Sequence, residues 1–321
     1  MEPSLWGNTP HQKDLTPQNE AKTLWIESQS ALTHNDLENA IYFLKQFVSR
    51  YPGQPDFLKA QILLGSALRK SGKTEESIPY FTDYIRNTQI NPDSIQARLE
   101  LSQAYLDTKK FSEAHLAVLE AEKALQTRPN LELRIPVLFM KAQSWIALDR
   151  DFQAFQLIES LEKQFMQGSD LKMKGKGYNL KITAKTHLCA QLNLKGNLNE
   201  SQIHNQIERR GLCLLEALLI FQKTLQIGHH PFIDSTTIEL EKAFSDYHQA
   251  CSHPPAPKSR TRQAQNQFQK ELADWLIPEC QKKSSTALEL LDSWKPQFPN
   301  ATQSAALRLS QLLTQLISRS P

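Results

Sequence analysis

The sequence is poor in the residues that build sheets and in the motifs that carry catalysis. Its 321 residues include only three valines and ten glycines but 45 leucines, a balance that favours helices over an extended sheet. No GxSxG motif, HExxH motif or Cys–His nucleophile signature occurs in it. We therefore expect an all-α protein that is not an enzyme and that uses no cofactor.

An excess of charge of either sign is also lacking. The chain has 37 basic and 34 acidic residues, for a formal net charge of +3. Two lysine-rich stretches, Lys172–Lys185 and Lys258–Arg262, are the candidates for a nucleic-acid contact, but they lack the regular interleaving of aromatic residues that nucleic-acid-binding surfaces have. The balance of charge predicts that nucleic acid is not a partner.

Long apolar runs are absent as well. No hydrophobic run reaches the roughly 18 residues that a membrane span needs, and the best candidate, from Gly211 to Phe221, is interrupted by Glu216. The first twenty residues lack the basic segment and apolar core of a signal peptide. We expect no membrane span in this chain. The compartment stays open: the cell envelope or periplasm if a signal or lipid anchor has been removed, and otherwise the cytoplasm.

Cysteine and glycine motifs are sparse. Cys189, Cys213, Cys251 and Cys280 include no CxxC pair. Their number permits two disulfides but does not imply them, and the favoured interpretation is four small, buried hydrophobic side chains. His248 and His253 flank Cys251 in the sequence, but these residues run from a helix end into a Pro-rich stretch, and this spacing predicts no metal site. The GKG triplet at 175–177 lacks the rest of a phosphate-binding loop, so it is interpreted as a solvated basic turn.

What the sequence does contain is a repeat of 37 residues. Small and large apolar positions recur in two helix-length segments joined by a short turn, which is typical of helical-repeat proteins. The first copy is Leu64–Gly65, Leu68, Ser77, Phe81 and Tyr84, and the second is Leu101–Ser102, Tyr105, Ala114, Val118 and Ala121. A further copy places Ser28 and Ala40 37 residues upstream, and a fourth, 40 residues downstream, places Ala142 and Ala154.

The small residues indicate where helices cross. A large side chain at Gly65, or at the equivalent position of another repeat, would hold the two helices of that repeat apart, so we expect close backbone contact there. Within each repeat a turn must separate the two helices. We expect His34–Asn35–Asp36 to form the first turn, Gly72 to end a helix in the left-handed conformation, and Asp149 or Asp151 to cap the fourth turn.

These positions resemble the tetratricopeptide repeat (TPR), whose usual period is about 34 residues. The resemblance covers roughly residues 20–167 and implies a right-handed, TPR-like helical-repeat solenoid with additional C-terminal helices. Units of 37 and 40 residues, and Ser77 where alanine is usual, depart from the TPR pattern. The stretch Tyr51–Pro52–Gly53–Gln54–Pro55 is similar to bacterial cell-envelope TPR proteins. Those include the lipoprotein subunit of the β-barrel assembly machinery and the periplasmic TPR partner of the Tol–Pal system.

On this basis we divide the chain into five parts. They are a disordered N-terminal tether (1–17), four TPR-like helix pairs (18–168), a helical extension with a long helix (169–251), a Pro-rich basic linker (252–262) and C-terminal helices that cap the array (263–321). In the last part we expect one helix around Phe268–Leu276, a shorter one from Ser284 to Trp294 and a final amphipathic helix from Asn300. The final helix suits either a cap or a dock for a partner helix.

The resemblance also implies a binding surface, because first helices of successive TPR units line a concave groove that holds partner peptides. The inward positions are Trp25, Gln29, Lys59, Ile62, Ser66, Arg69, Gln96, Leu99, Gln103, Phe139, Gln143 and Ile146. Amides, aliphatic groups and aromatic rings there suit a peptide or helix of a partner protein. Ile62 with Ser66, and Leu99 with Gln103, stand where a carboxylate clamp needs Lys and Asn, so chaperone C-termini are disfavoured.

Two functions follow from this interpretation. The first is a protein–protein interaction scaffold or adaptor, with a role in bacterial envelope assembly. The alternative is a cytoplasmic regulator whose TPR half senses a peptide while the second half acts on another target.

Overall fold

The structure, a computed structural model, describes residues 17–192, 198–255, 261–294, 297–298 and 300–318. Within these ranges the regular structure consists of thirteen helices and contains no strand. The first eight are α1 (Pro17–Thr33), α2 (Leu37–Arg50), α3 (Phe57–Lys70), α4 (Thr74–Asn87), α5 (Pro92–Asp107), α6 (Phe111–Thr127), α7 (Leu131–Ala147) and α8 (Asp151–Gln167). The others are α9 (Leu171–Gln191), α10 (Glu200–Ile227), α11 (His230–Ser252), α12 (Arg262–Trp294) and α13 (Asn300–Ser318). The expectation of an all-α fold is confirmed.

The chain forms two compact units, residues 1–133 and 134–321. The expected block of four helix pairs therefore has three pairs in the first unit and its fourth pair, α7 and α8, in the second. Residues 1–16 of the expected tether and 256–260 of the expected linker lie outside the described residues. Among those that are described, no helix is both long enough and apolar enough to cross a bilayer.

In the first unit the helices of each pair cross at small residues. A Cβ atom placed on Gly65 of α3 would lie 2.8 Å from the ring of Phe81 on α4, closer than packed carbon atoms approach. In the next pair, Ser102 of α5 donates a hydrogen bond of 3.0 Å to the carbonyl oxygen of Ala114 on α6. Both contacts bring two helix backbones together, as the repeat predicts.

The turn between the two helices of a pair has one conformation in all four pairs. Each turn contains one residue in the left-handed region, and successive members are spaced like the sequence repeat. They are Asn35 (φ 55°), Gly72 (φ 84°), Lys109 (φ 60°) and Asp149 (φ 57°). The left-handed helix end expected at Gly72 is confirmed, and three other residue types adopt the same conformation in the other pairs.

Backbone hydrogen bonds explain why the conformation repeats. In each pair the residue after the left-handed one donates its N–H to a carbonyl five residues back, as in a Schellman helix end. These bonds are Asp36 to Ala31 (2.8 Å), Lys73 to Leu68 (2.9 Å), Lys110 to Tyr105 (2.8 Å) and Arg150 to Trp145 (2.8 Å). The turn is therefore built by backbone geometry, and its side chains are free to vary.

The expected side-chain cap at the fourth turn is wrong. Asp149 shapes that turn through its left-handed backbone. Asp151 begins α8, and its buried carboxylate accepts hydrogen bonds from His187 Nδ1 (3.0 Å) and Gln191 Nε2 (2.7 Å) of α9. Desolvation at this buried position raises the pKa of Asp151 even though His187 opposes the shift. This carboxylate connects two helices of the second unit.

In the second unit, glycines inside a helix admit aromatic rings. The GKG triplet expected as a basic turn lies within α9, so that expectation is wrong. A Cβ atom on Gly175 would lie 2.6 Å from the ring of Phe232 on α11, and one on Gly177 would lie 2.8 Å from Phe165 on α8. The glycines therefore serve close packing of α9 against two neighbouring helices.

The second half of this unit contains longer helices than expected. The two separate helices expected before and after Ser284 are one helix, α12, that continues through Pro278. Apolar burial on both sides of the proline, at Leu276 and Cys280, holds the two parts in line despite the lost backbone hydrogen bond. The apolar stripe of α13 packs in the same core as α11 and α12.

The four cysteines form two disulfides. Cys189 of α9 pairs with Cys213 of α10 at a Cα–Cα distance of 5.5 Å, and Cys251 of α11 pairs with Cys280 of α12 at 6.6 Å. The favoured interpretation of four unpaired, buried cysteines is therefore wrong, because each lies close enough to a cysteine of a neighbouring helix to be bonded to it. Because the thiols are used up in these bonds, Cys251 offers no thiolate to the histidines beside it.

The left-handed turns make a stability prediction. Lys109→Gly is expected to raise the free energy of unfolding by about 0.5–1 kcal/mol, because glycine adopts a positive φ without the steric penalty of a Cβ atom. Urea denaturation of the full chain measures the change. Lys109→Ala is the matched control and should be close to neutral, since alanine keeps a Cβ atom at the same positive φ of 60°. Stabilisation by both substitutions, or by neither, would contradict the role assigned to the turn.

Candidate partner-binding surfaces

In the first unit, the expected groove residues lie on the first helices of the three pairs, α1, α3 and α5. Eight of these nine positions are partly or fully accessible, whereas Leu99 is only 5% exposed and packs in the core. The accessible positions are Trp25, Gln29, Lys59, Ile62, Ser66, Arg69, Gln96 and Gln103. We refer to these eight residues as the first-helix face.

An aromatic and cationic contact marks one end of this face. The ring of Trp25 is half-buried and packs against Phe47 of α2, with centroids 5.7 Å apart. Lys59 Nζ of α3 lies 5.8 Å from the Trp25 ring, a distance at which a cation is attracted to the face of an indole. Gln29, one turn after Trp25, has a buried Nε2 without a hydrogen-bond partner among the described residues.

An ion network marks the other end. Arg69 of α3 contacts two carboxylates of α5: Glu100 at 3.1 Å and Asp107 at 3.3 Å. Gln103 donates to the same Asp107 at 2.8 Å. The basic spot expected at Lys59 and Arg69 is therefore reduced, because two carboxylates face the guanidinium group.

Sequence reasoning missed these carboxylates, although a signal was present. Glu100 and Asp107 are seven residues apart and flank Gln103, so all three lie on one side of α5. The register that selected Gln103 could have selected them as well. The first-helix face thus carries both signs of charge next to amide groups.

The three expected groove residues of the fourth pair belong to the second unit. Phe139 is 1% exposed and packs edge-on against Phe165, with ring centroids 5.5 Å apart, so it offers no accessible surface. Gln143 and Ile146 are half-buried. Ile146 packs against the apolar core of α7, α8 and α9. Of this set, Gln143 and Ile146 are the positions that a partner could reach.

The second unit has a polar centre that the sequence did not reveal. Glu162 of α8 accepts hydrogen bonds from Tyr178 Oη (2.6 Å) and Lys181 Nζ (2.6 Å) of α9, and from Lys223 Nζ (2.9 Å) of α10. We call these four residues the Glu162 cluster. A single carboxylate therefore connects three helices, and Lys181 is almost fully buried in the process.

The cluster changes the acidity of its members. Burial by itself would raise the pKa of Glu162, but hydrogen bonds from Lys181, Tyr178 and Lys223 outweigh it and lower the pKa to about 2. Burial, followed by the hydrogen bond to Glu162, raises the pKa of Tyr178. At neutral pH the carboxylate is ionised and the phenol is protonated, which is the combination that the hydrogen bonds require.

The lysines of α9 do not form one basic surface. Lys181 is bound to Glu162, and Lys185 is paired with Glu216 of α10. Both lysines also lie beside the ring of Phe155, at 5.5 and 5.6 Å. Lys258, from the second candidate stretch, lies outside the described residues. Pairing of this kind is typical of lysines that stabilise a fold rather than bind phosphates.

Taken together, the geometry defines an all-α helical-repeat protein with TPR-like helix pairs. The sequence matches no protein-family model and no curated protein. Solved structures of similar fold include a TPR protein from Parabacteroides merdae, with 12% identity and a TM-score of 0.44, covering 92% of this chain and 99% of that one. Another is the TPR2AB domain of yeast Sti1 in complex with pHSP90, with 12% identity, a TM-score of 0.35 and coverage of 93% and 99%.

The Podosopora anserina putative kinesin light chain repeats are a third similar structure, with 14% identity and a TM-score of 0.45, covering 65% of this chain and 96% of that one. All three TM-scores are below 0.5, so these similarities support no inference about activity or partner. The helical-repeat fold is established by this chain's own crossing residues and turns.

The Glu162 cluster predicts a pH-dependent stability. Because the pKa of Glu162 is lowered in the folded state, its contribution is present above the unfolded pKa and is lost as the pH falls towards about 2. Glu162→Gln should lower the free energy of unfolding by about 2 kcal/mol at neutral pH. Urea denaturation at pH 7 and pH 3 should show a smaller loss on acidification in the variant than in the wild type.

Glu159→Gln is the matched control. Glu159 lies 3.5 Å from the same Lys181 but is 59% exposed, so its removal should change stability by less than about 0.5 kcal/mol. Equal effects of the two substitutions would contradict the importance of the Glu162 cluster.

Proposed function

We propose that this chain is a non-enzymatic scaffold that binds a peptide or helix of a partner protein along the first-helix face. The observation that carries the proposal is the repeated placement of accessible amide, aliphatic and aromatic side chains on three successive first helices. Such a surface can hold the backbone of a ligand by hydrogen bonds and its side chains in shallow apolar sites.

The chemistry of the face favours a polar partner with both charged and apolar groups. Lys59 is exposed beside Trp25, whereas Glu100 and Asp107 face Arg69 at the other end. The buried amide nitrogen of Gln29 lacks an acceptor among the described residues, and an unsatisfied buried donor costs about 1–3 kcal/mol. Because the protein covers that nitrogen, a partner would contact the accessible part of the Gln29 side chain instead.

We further propose that the scaffold works in the bacterial cell envelope. Two disulfides, each between neighbouring helices, support this compartment, because such bonds persist in oxidising environments and are rare in the cytosol. The same bonds count against the cytoplasmic peptide-sensing regulator, whose cysteines would be kept reduced.

Site-specific photocrosslinking tests the binding surface. With a benzoyl-phenylalanine residue in place of Ser66 or Gln96 in the native host, we expect one discrete crosslinked protein, because both positions lie on the first-helix face. The product would be measured by immunoblotting and identified by mass spectrometry. Tyr42 of α2 is exposed on a second helix and is the control position, where no such product is expected.

Equal crosslinking from Tyr42, or none from Ser66 and Gln96, would contradict binding along the first-helix face. A metabolite turned over by the purified chain would contradict the scaffold itself.

Thiol accessibility tests the compartment. All four cysteines should resist maleimide in protein taken from native cells and denatured without reductant, because they are bonded in pairs. After reduction, mass spectrometry should show four maleimide additions. Labelling before reduction, in cells lysed under acid to prevent exchange, would contradict an oxidising compartment.

A further inference from the structure

We infer a second binding site in the second unit: a cleft between α8, α9 and α10 that takes an acidic, aliphatic segment of a partner polypeptide. The cleft has a volume of about 680 Å³, within the range of roughly 300–1,000 Å³ that is usual for ligand sites. It does not depend on the first-helix face, which belongs to the other unit.

Three helices contribute one side each to this cleft. The lining residues of α8 run from Glu159 to Met166, those of α9 from Leu171 to Tyr178, and those of α10 from Lys223 to Ile227. Within each helix every lining residue has another three or four positions away, the spacing of a single helix face. The cleft is therefore a surface that three helices form together.

The charges of the cleft leave two cations without partners. The carboxylates of Glu159 and Glu162 are balanced by Lys181 and Lys223, which contact them at 2.6–3.5 Å. Lys163 and Lys174 also line the cleft, and neither ammonium group has an ion pair or hydrogen bond within the described part of the chain. The net charge left at the cleft is therefore positive.

Apolar side chains lie next to these cations. Leu171 is 53% exposed and Met166 is 37% exposed, although both are large hydrophobic residues. Ile227 of α10 is half-buried in the same cleft. Covering such side chains contributes about 25 cal/mol of favourable free energy to binding for each Å² of apolar surface removed from water. An occupant must therefore supply both aliphatic groups and negative charge.

This combination selects a polypeptide over nucleic acid. Glu159 and Glu162 lie in the lining and would repel a dense array of phosphates, whereas isolated carboxylates can each face one lysine. Glutamate or aspartate side chains next to leucine or isoleucine meet both requirements. The Glu162 cluster makes the site rigid, because Lys223 is already held across the cleft on Glu162.

Fluorescence anisotropy with the full chain tests this inference. The probe is a fluorescein-labelled peptide with repeated Leu-Glu-Glu-Leu-Leu segments, and its counterpart carries Gln in place of every Glu. We expect micromolar binding of the acidic peptide, at least about tenfold weaker binding of the Gln peptide, and weaker binding at high salt.

Variants locate the binding. The double substitution Lys163→Glu and Lys174→Glu should weaken binding of the acidic peptide at least about tenfold, because it reverses both unpaired charges. Lys172→Glu reverses one charge at an exposed position of α9 outside the lining, and together with Lys282→Glu at an exposed position of α12 it reverses two. Neither this pair nor Lys172→Glu alone should weaken binding more than about threefold. Circular dichroism would verify that all variants are folded, as expected for exposed or half-exposed lysines.

Leu171→Asp tests the apolar requirement and should also weaken binding. Equal binding of the two peptides, equal effects of Lys172→Glu and the double substitution, or preferential binding of decanoate or single-stranded DNA would overturn the inference. Photocrosslinking at Ser66 and Gln96 reports on the other unit, so failure of one site is distinguishable from failure of the other.

Discussion

Close approach of two helix backbones is the constraint on which the repeated part of this protein depends. A pair of helices buries a continuous apolar seam only when nothing large stands at the crossing point. Gly65 meets this requirement by receiving the ring of Phe81, and Ser102 meets it by bonding to the backbone of α6. One residue has no side chain and the other satisfies its own hydroxyl, yet both permit the same geometry.

The period of the sequence predicted the helix pairs because crossing residues and turns repeat together. The four left-handed residues follow the intervals of the small residues, although only Gly72 could be recognised as such from its type. Asn35, Lys109 and Asp149 adopt the conformation because two backbone hydrogen bonds hold each turn. The steric penalty of about 1 kcal/mol for a left-handed residue is small compared with the free energy gained by burying the apolar seam between the two helices. Residue type is therefore a weak signal at these turns.

Beyond Gly168 the repeat period no longer predicts the helices, for a physical reason. Helices there are 19–33 residues long, and α11 packs against α9, α10, α12 and α13 rather than against its sequence neighbours alone. Contacts of that kind need no fixed period. The glycines of α9 show the consequence: Gly175 and Gly177 resembled a loop, yet they are helical residues that admit Phe232 and Phe165. The candidate binding face was predictable in register only, because whether Leu99 is buried or Arg69 is paired depends on residues of other helices.

The two units are stabilised by different means, and this difference determines which side chains each unit leaves at its surface. In the first unit the seam is apolar and repeats, so polar side chains on the first helices are left over from packing. In the second unit, disulfides and the Glu162 cluster join helices that are 16 to 61 residues apart in sequence. Within the Glu162 cluster, the charged groups are paired with one another. Glu162 is already bound to the buried Lys181 and the exposed Lys223, so it is not available to Lys163 and Lys174, which line the cleft without an ion-pair partner among the described residues. The positive charge of the α8–α9–α10 cleft is thus a direct consequence of how the interior of that unit is held together.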